Sequence, residues 1–136
     1  MELFIDPAIP TYAGGLGILA GDTIRTAADL GIPAVGVTLL HRKGYFQQHL
    51  DSSGNQWETE AVWSPEKFLE LMLPRVQVVV GGRQVQVQAW RYLVRSDFGN
   101  AVPVYLLDTA LPENSPYDQS LTDTLYGGDA YYRLCL

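Results

Sequence analysis

Apolar positions change their period several times along this chain, and each change marks an element. Within residues 16–30, Gly17, Ala20, Gly21, Ile24, Ala27 and Ala28 recur at three- and four-residue spacing, which predicts a helix with one apolar face. That face is built from small side chains, which let a helix axis come close to a sheet. Gly31 suits the position just past the helix end, and Pro33 cannot continue it. Residues 33–40 (PAVGVTLL) then form an unbroken apolar and β-branched run, the pattern of a strand buried on both faces of a parallel sheet. Its expected parallel partner is the short apolar segment 1–5, read as the tail of a strand, after which Pro7 and Pro10 impose an extended turn.

Beyond residue 44 the pattern becomes antiparallel. Residues 45–50 and 56–63 are short, aromatic and polar, and flank Asp51-Ser52-Ser53-Gly54, which reads as a hairpin turn. Val76, Val78 and Val80 alternate, Gly81-Gly82 supplies a two-residue turn that needs positive φ, and Val85, Val87 and Ala89 alternate with Gln84, Gln86 and Gln88. The glutamines are expected to face water or a neighbour. A further strand, residues 102–107, follows a turn at 96–100 and ends at Asp108. Residues 121–136 have helical spacing broken by Gly127-Gly128, and the last turn stops without a capping residue. A chain that opens inside a strand and stops inside a helix is expected to be an internal piece of a larger domain.

Composition narrows the classes. The 136 residues amount to at most one domain, and 47% hydrophobic against 18% charged residues excludes a disordered chain. No apolar run approaches the roughly 20 residues of a membrane helix, and no secretion signal is present, so the expected location is cytoplasmic with no membrane partner. Nine basic residues against fifteen acidic ones give a net charge of −6, and only Arg42-Lys43 are adjacent; without a clustered positive face, no nucleic acid is expected as a partner. Cys135 is single and reads as a small buried hydrophobe. None of Asn55, Asn100 and Asn114 lies in a glycosylation acceptor. His41 and His49, eight apart, do not have metal-ligand spacing and are expected to be ordinary hydrogen-bonded histidines; no metal is expected. Asp22 is expected to support the glycine loop near the positive end of the helix, and Asp29 to find a partner elsewhere. Trp57, Trp63 and Trp90 suit either sugar stacking or packing, and packing is the commoner use.

The stretch with most chemistry is Tyr12-Ala13-Gly14-Gly15-Leu16-Gly17-Ile18-Leu19-Ala20-Gly21-Asp22. Three glycines at a helix entry remove side chains where a ligand must approach the backbone, and the first turn presents unpaired N–H groups with partial positive charge. The competing reading is that these glycines serve only a tight turn and close packing. Gly15-x-Gly17-x-x-Ala20 also satisfies a dinucleotide fingerprint, but Asp6 to Ala13, with two prolines, separates it from its strand. The second strand also ends in His41-Arg42-Lys43 where an acidic residue belongs.

The run GGLGILAGDTIRTAADLGIPAVGVTLLHRKGYFQQ resembles the α-glucan (glycogen/maltodextrin) phosphorylases of the shorter bacterial and archaeal type. The resemblance continues in order through Trp57-Glu58, RYLV, VPVYLLDTALPENSPYDQSLTDTLYGGD and YYRL, and so covers essentially the whole chain. It implies an α/β fold, a partial Rossmann-like domain of a GT-B type glycosyltransferase with an antiparallel β insertion. Residues 1–136 would then be an incomplete N-terminal phosphorylase domain: 1–44 the glycine loop and a βαβ unit, 45–110 largely antiparallel strands, 111–136 a loop and a truncated helix. It further implies phosphorolysis of α-1,4-glucan to glucose 1-phosphate, with glucan, phosphate and glucose 1-phosphate as partners and oligomerisation left open. Another GT-B enzyme, such as a glycogen synthase, is the nearest alternative.

By the same resemblance Gly14, Gly15, Leu16 and Gly17 line the phosphate and glucosyl site. Glu2 corresponds to an acidic residue near cofactor and glucan, and Phe4 stands where longer relatives carry a tyrosine near the cofactor. Ala13 departs from the asparagine of the animal-type enzymes. The cofactor is pyridoxal 5′-phosphate on a lysine; the chain holds only Lys43 and Lys67, neither in that lysine's context. No catalytic residue is therefore expected within the chain, which alone is expected to be inactive.

Overall fold

The computed structural model describes residues 2–45 and 47–126. Helix α1 spans Gly15–Asp29 and ends as its sequence requires. Gly31 takes φ +64°, and the amides of Leu30, Gly31 and Ile32 close onto the carbonyls of Thr26, Ala28 and Ala27. Gly17, Gly21 and Ala28 are its buried residues, so the small face does face inward. Gly21 is required there: a Cβ would lie 2.0 Å from the carbonyl oxygen of Phe4.

Four strands form the main sheet, β1 (Gly36–Leu39), β4 (Glu70–Val80), β5 (Arg83–Arg95) and β6 (Ala101–Asp108), in the order β1-β6-β5-β4. A separate hairpin pairs β2 (Gln47–Leu50) with β3 (Gln56–Thr59) around the turn at Asp51. The Asp51 carboxylate caps that turn, accepting from the amides of Ser53 and Asn55 at 2.8 Å each. Gly81 and Gly82, at φ +55° and +78°, make the two-residue turn between β4 and β5. A single 3-10 turn, Pro65–Lys67, precedes β4, and the short helix α2 spans Pro116–Gln119.

Three expectations are corrected. Residues 2–5 form no strand, because their amides are already engaged: Leu3 donates to the Thr11 carbonyl at 2.9 Å and Phe4 to that of Gly17 at 3.0 Å. The parallel partner of β1 is instead β6, with Gly36 opposite Val104 and Thr38 opposite Leu106. Nor is β1 buried on both faces. Gly36 and Thr38 are buried while Val37 is 59% exposed, so the strand alternates between a covered and an open side. Residues 121–126 form turns and one bridge rather than a helix; the rest of the expected helix, 127–136, lies outside the described residues.

The core sits on the covered face, where Leu3, Ile5, Leu40, Trp90, Val104 and Leu106 pack together. Beyond the end of β6 the edge of β5 would be bare at Gln86. The Asn114 side chain completes it, donating to the Gln86 carbonyl and accepting from its amide at 2.8 Å each. Arg83, at the start of β5, is held by Asp118 of α2 at 2.8 Å. The loop after β6 thus continues the ladder with side-chain groups. Among the described residues, no helix is long and apolar enough to cross a membrane.

Candidate functional site at the glycine loop

The glycine loop is anchored by Glu2. This carboxylate is buried, and one of its oxygens accepts from the amides of Ala13 at 3.0 Å and Gly14 at 2.9 Å. Its other oxygen accepts from the Tyr126 hydroxyl. Among the described residues it has no cationic partner. Desolvation acts to raise its pKa, but the hydrogen bonds from Tyr126 and from the amides of Ala13, Gly14 and Gly17 outweigh it and hold the carboxyl below the ordinary glutamate value. The same bond, with desolvation, pushes the Tyr126 phenol up, so that it stays a donor.

Around this anchor the three glycines differ. Gly17 is buried, and a Cβ on it would meet the Tyr12 Cβ at 2.7 Å and a Glu2 carboxylate oxygen at 3.0 Å. Among the described residues, nothing beyond their own chain neighbours and helix lies within 4 Å of where a Cβ on Gly14 or Gly15 would stand. Gly14 is extended, with φ −164°, a value open to any residue. Turn geometry and packing therefore account for Gly17 and leave Gly14 and Gly15 unexplained. The Gly17 and Ile18 amides close onto the Gly14 carbonyl. Those of Gly15 and Leu16, at the start of α1, have no acceptor among the described residues. Leu16 itself is 71% exposed.

The loop borders an open cleft of about 930 Å³ through Ala13 and Tyr12, and Tyr45, Trp63, Lys67 and Phe68 are among the residues that line the remainder. Trp63 also donates its indole N–H to the His41 carbonyl at 3.0 Å. Phe4 points elsewhere, its ring edge-on to Tyr12 and beneath the Arg25 guanidinium at 4.9 Å. Asp22 does not support the loop as expected; its carboxylate pairs with Arg25 at 3.5 Å, one turn along the helix. Asp29 is exposed and no partner is found for it among the described residues.

The histidines are hydrogen-bonded, as expected. His49 Nε2 lies 2.8 Å from the Thr59 hydroxyl, with its ring stacked on Trp57. His41 is buried, and its Nδ1–H donates to the Thr122 carbonyl at 3.0 Å. Burial lowers its pKa, an effect that this bond partly opposes, which favours the neutral ring; its Nε2 has no hydrogen-bond partner among the described residues.

Two residues at this end of the sheet escaped the sequence reading. Asp108, fully buried at the end of β6, accepts from Arg42 at 2.6 Å, Gln88 at 2.8 Å, the Trp90 indole at 3.0 Å and the Ala110 amide at 2.9 Å. Trp90 is therefore a packing tryptophan, and Gln88 is the glutamine that faces a neighbour. The other is Tyr126, whose only sequence signal was its place in the LYGGD segment.

No family model matches the chain. Individual proteins do. Over 98% of its length it is 39% identical to maltodextrin phosphorylase of Thermococcus litoralis and 38% identical to glycogen phosphorylase of Mycobacterium tuberculosis, in each case spanning 16% of the relative. Over 90% of its length it is 34% identical to glycogen phosphorylase of Aquifex aeolicus, spanning 18% of it. The mixed sheet and its helix-opening loop make the chain an α/β unit, and these matches liken it to a segment of the phosphorylases. More particularly, it is similar to one segment of the glycogen and maltodextrin phosphorylases, and spans about a sixth of the length of the first two of these relatives.

Proposed function

We propose that this segment forms one wall of the phosphate and glucosyl site of an α-glucan phosphorylase, a glycosyltransferase that cleaves α-1,4-glucan with phosphate to release glucose 1-phosphate. One observation carries the reading: Gly14 and Gly15 leave an open approach to a helix start whose Gly15 and Leu16 amides lack acceptors among the described residues. Backbone donors held at a positive helix end suit a phosphate oxygen or a sugar hydroxyl. Gly17 lets the loop sit tightly on Glu2 and Tyr12. The parallel pair β1–β6, with α1 packed on β6 and β5, fits part of a Rossmann-like domain of the GT-B type. Such an enzyme would work in the cytoplasm.

Pyridoxal 5′-phosphate, the cofactor this family implies, does not fit the residues of this chain. Lys43 pairs with Asp123 at 3.4 Å and is itself 55% exposed, and Lys67 stands exposed at the cleft rim. Neither ammonium has the enclosure that keeps an imine from water. The lysine that carries the cofactor, like the residues that move protons, is on this reading supplied by sequence outside the chain.

Titration of the ¹⁵N-labelled chain with inorganic phosphate tests the proposal. The Gly15 and Leu16 amide resonances should shift progressively, while those of β4 and β5 remain still. If they stay unmoved while the chain is folded, the phosphate reading fails.

A further inference from the structure

The feature that the phosphorylase reading leaves unused is the bond between the two ends of the described chain, Tyr126 to Glu2. We propose that Tyr126 is a positioning residue for the glycine loop: its hydroxyl fixes the carboxylate that holds the Ala13 and Gly14 amides, and thereby sets where the Gly15 and Leu16 amides point. The proposal rests on the reading of that loop as the phosphate and glucosyl site.

Three observations support it. Glu2 has no cation to orient it, so its rotamer is set by the donors around it, and Tyr126 is the only side-chain donor bonded to it among the described residues. Carboxylate hydrogen bonds are stronger than neutral ones and fix direction. Tyr126 is also held in an unusual conformation, φ +56°, which bulky residues rarely adopt. Such a conformation persists only where the surroundings determine it.

The surroundings here do so. Residues 122–125 are tied to residues 41–44 by the His41 imidazole on the Thr122 carbonyl, Lys43 N–H on the Asp123 carbonyl at 2.8 Å, and Leu125 N–H on the Gly44 carbonyl at 3.0 Å. A parallel bridge joins Gly44 to Thr124, and the Tyr45 ring meets the Tyr126 ring edge-on, centroids 6.1 Å apart. The phenol is thus delivered from a strap fixed to the end of β1, the same rigid strand that pairs with β6. A tyrosine that merely filled space would need no such strap and would not sit with its hydroxyl on the loop's anchor.

The test uses Tyr126→Phe in the 136-residue chain and follows amide hydrogen exchange. Loss of one charge-assisted bond should speed exchange at Ala13 and Gly14 about tenfold or more, with amides of β5 and β6 unchanged. Unchanged exchange at Ala13 and Gly14 in the folded variant overturns the proposal. Glu2→Gln supplies an independent measurement, because its carbonyl can still receive the two amides. There the Tyr126 phenol, followed by ring-carbon NMR, should titrate at lower pH than in wild type, and adding Tyr126→Phe to Glu2→Gln should change loop exchange less than Tyr126→Phe does alone, because a neutral bond replaces the charge-assisted one. An unaltered phenol titration, or full additivity of the two substitutions, also overturns it. The phosphate titration of the wild type stands apart: its failure removes the phosphate reading, while the exchange data still decide whether Tyr126 sets the loop.

Discussion

Replacing Gly15 by alanine should make the chain more stable, and replacing Gly21 by alanine should do the reverse. The two glycines lie six residues apart on one helix, yet their surroundings differ. At Gly15 a methyl group meets nothing within 4 Å, and alanine is the better helix former by up to about 1 kcal/mol in a helix interior. At the first helical position we expect about half of that, a rise in midpoint of roughly 1–3 °C for a domain of this size. At Gly21 the methyl carbon would stand 2.0 Å from the Phe4 carbonyl oxygen, against the roughly 3.5 Å of ordinary contact. Neither partner is a flexible side-chain end, so the helix must lift from residues 2–5, weakening the bond from Phe4 N–H to the Gly17 carbonyl. A loss of about 2–3 kcal/mol follows, as for other overpacked cores. Urea unfolding of both variants, read by far-UV circular dichroism, supplies the two numbers, and phosphate titration of Gly15→Ala supplies a third. The stabilised variant should respond less to phosphate, because its methyl group crowds the open approach. Destabilisation by Gly15→Ala beyond about 0.5 kcal/mol, or a neutral Gly21→Ala, would refute the division of these glycines into open and packed.

Asp108→Ala should destabilise by about 3–5 kcal/mol in the same assay, since it strands the Arg42 charge and leaves the Gln88 and Trp90 donors without their acceptor. Asp108→Asn, which keeps the shape, should lose clearly less. Glu2 has a lowered pKa in the folded chain, so its contribution is complete above the ordinary glutamate pKa of about 4.3 and fades as pH falls through the folded value. Loop amide exchange, corrected for intrinsic rate, should therefore accelerate only below that range, and acceleration near neutrality would contradict it. His41, also lowered, contributes stability above about pH 6.5 that is lost as the medium acidifies through its folded value; its ring protons in NMR should titrate below 6.5.

Much of this fold was legible locally. The small-residue stripe, Gly31 and Pro33 marked α1, and Gly81-Gly82 between alternating valines marked the long hairpin, because each signal is complete within a few residues. The partner of β1 was not legible. Residues 1–5 and 101–108 are both apolar, and which one pairs depends on where the amides of Leu3 and Phe4 go, a matter settled by Thr11 and Gly17 in three dimensions. Exposure of Val37 was likewise hidden, since an apolar run does not say whether both faces are covered. At the site, the glycine loop was legible from spacing, and Glu2 was noticed only through family resemblance. The Asp108 cluster and the Tyr126 bond join residues far apart in sequence, and local periodicity carries no trace of either.

The bond between Glu2 and Tyr126 spans 124 residues. Closing so long a loop costs little more entropy than closing one half as long, but contacts of this separation form after local ones. Helix α1 and the β4–β5 hairpin can form early from their own neighbours, whereas the glycine loop gains its anchor only when the strap at 122–126 has docked beside the end of β1. The donors offered at Gly15 and Leu16 are therefore among the last parts of the molecule to be put in place. A chain nicked anywhere between residues 45 and 121 could keep its helix and still present that loop unanchored.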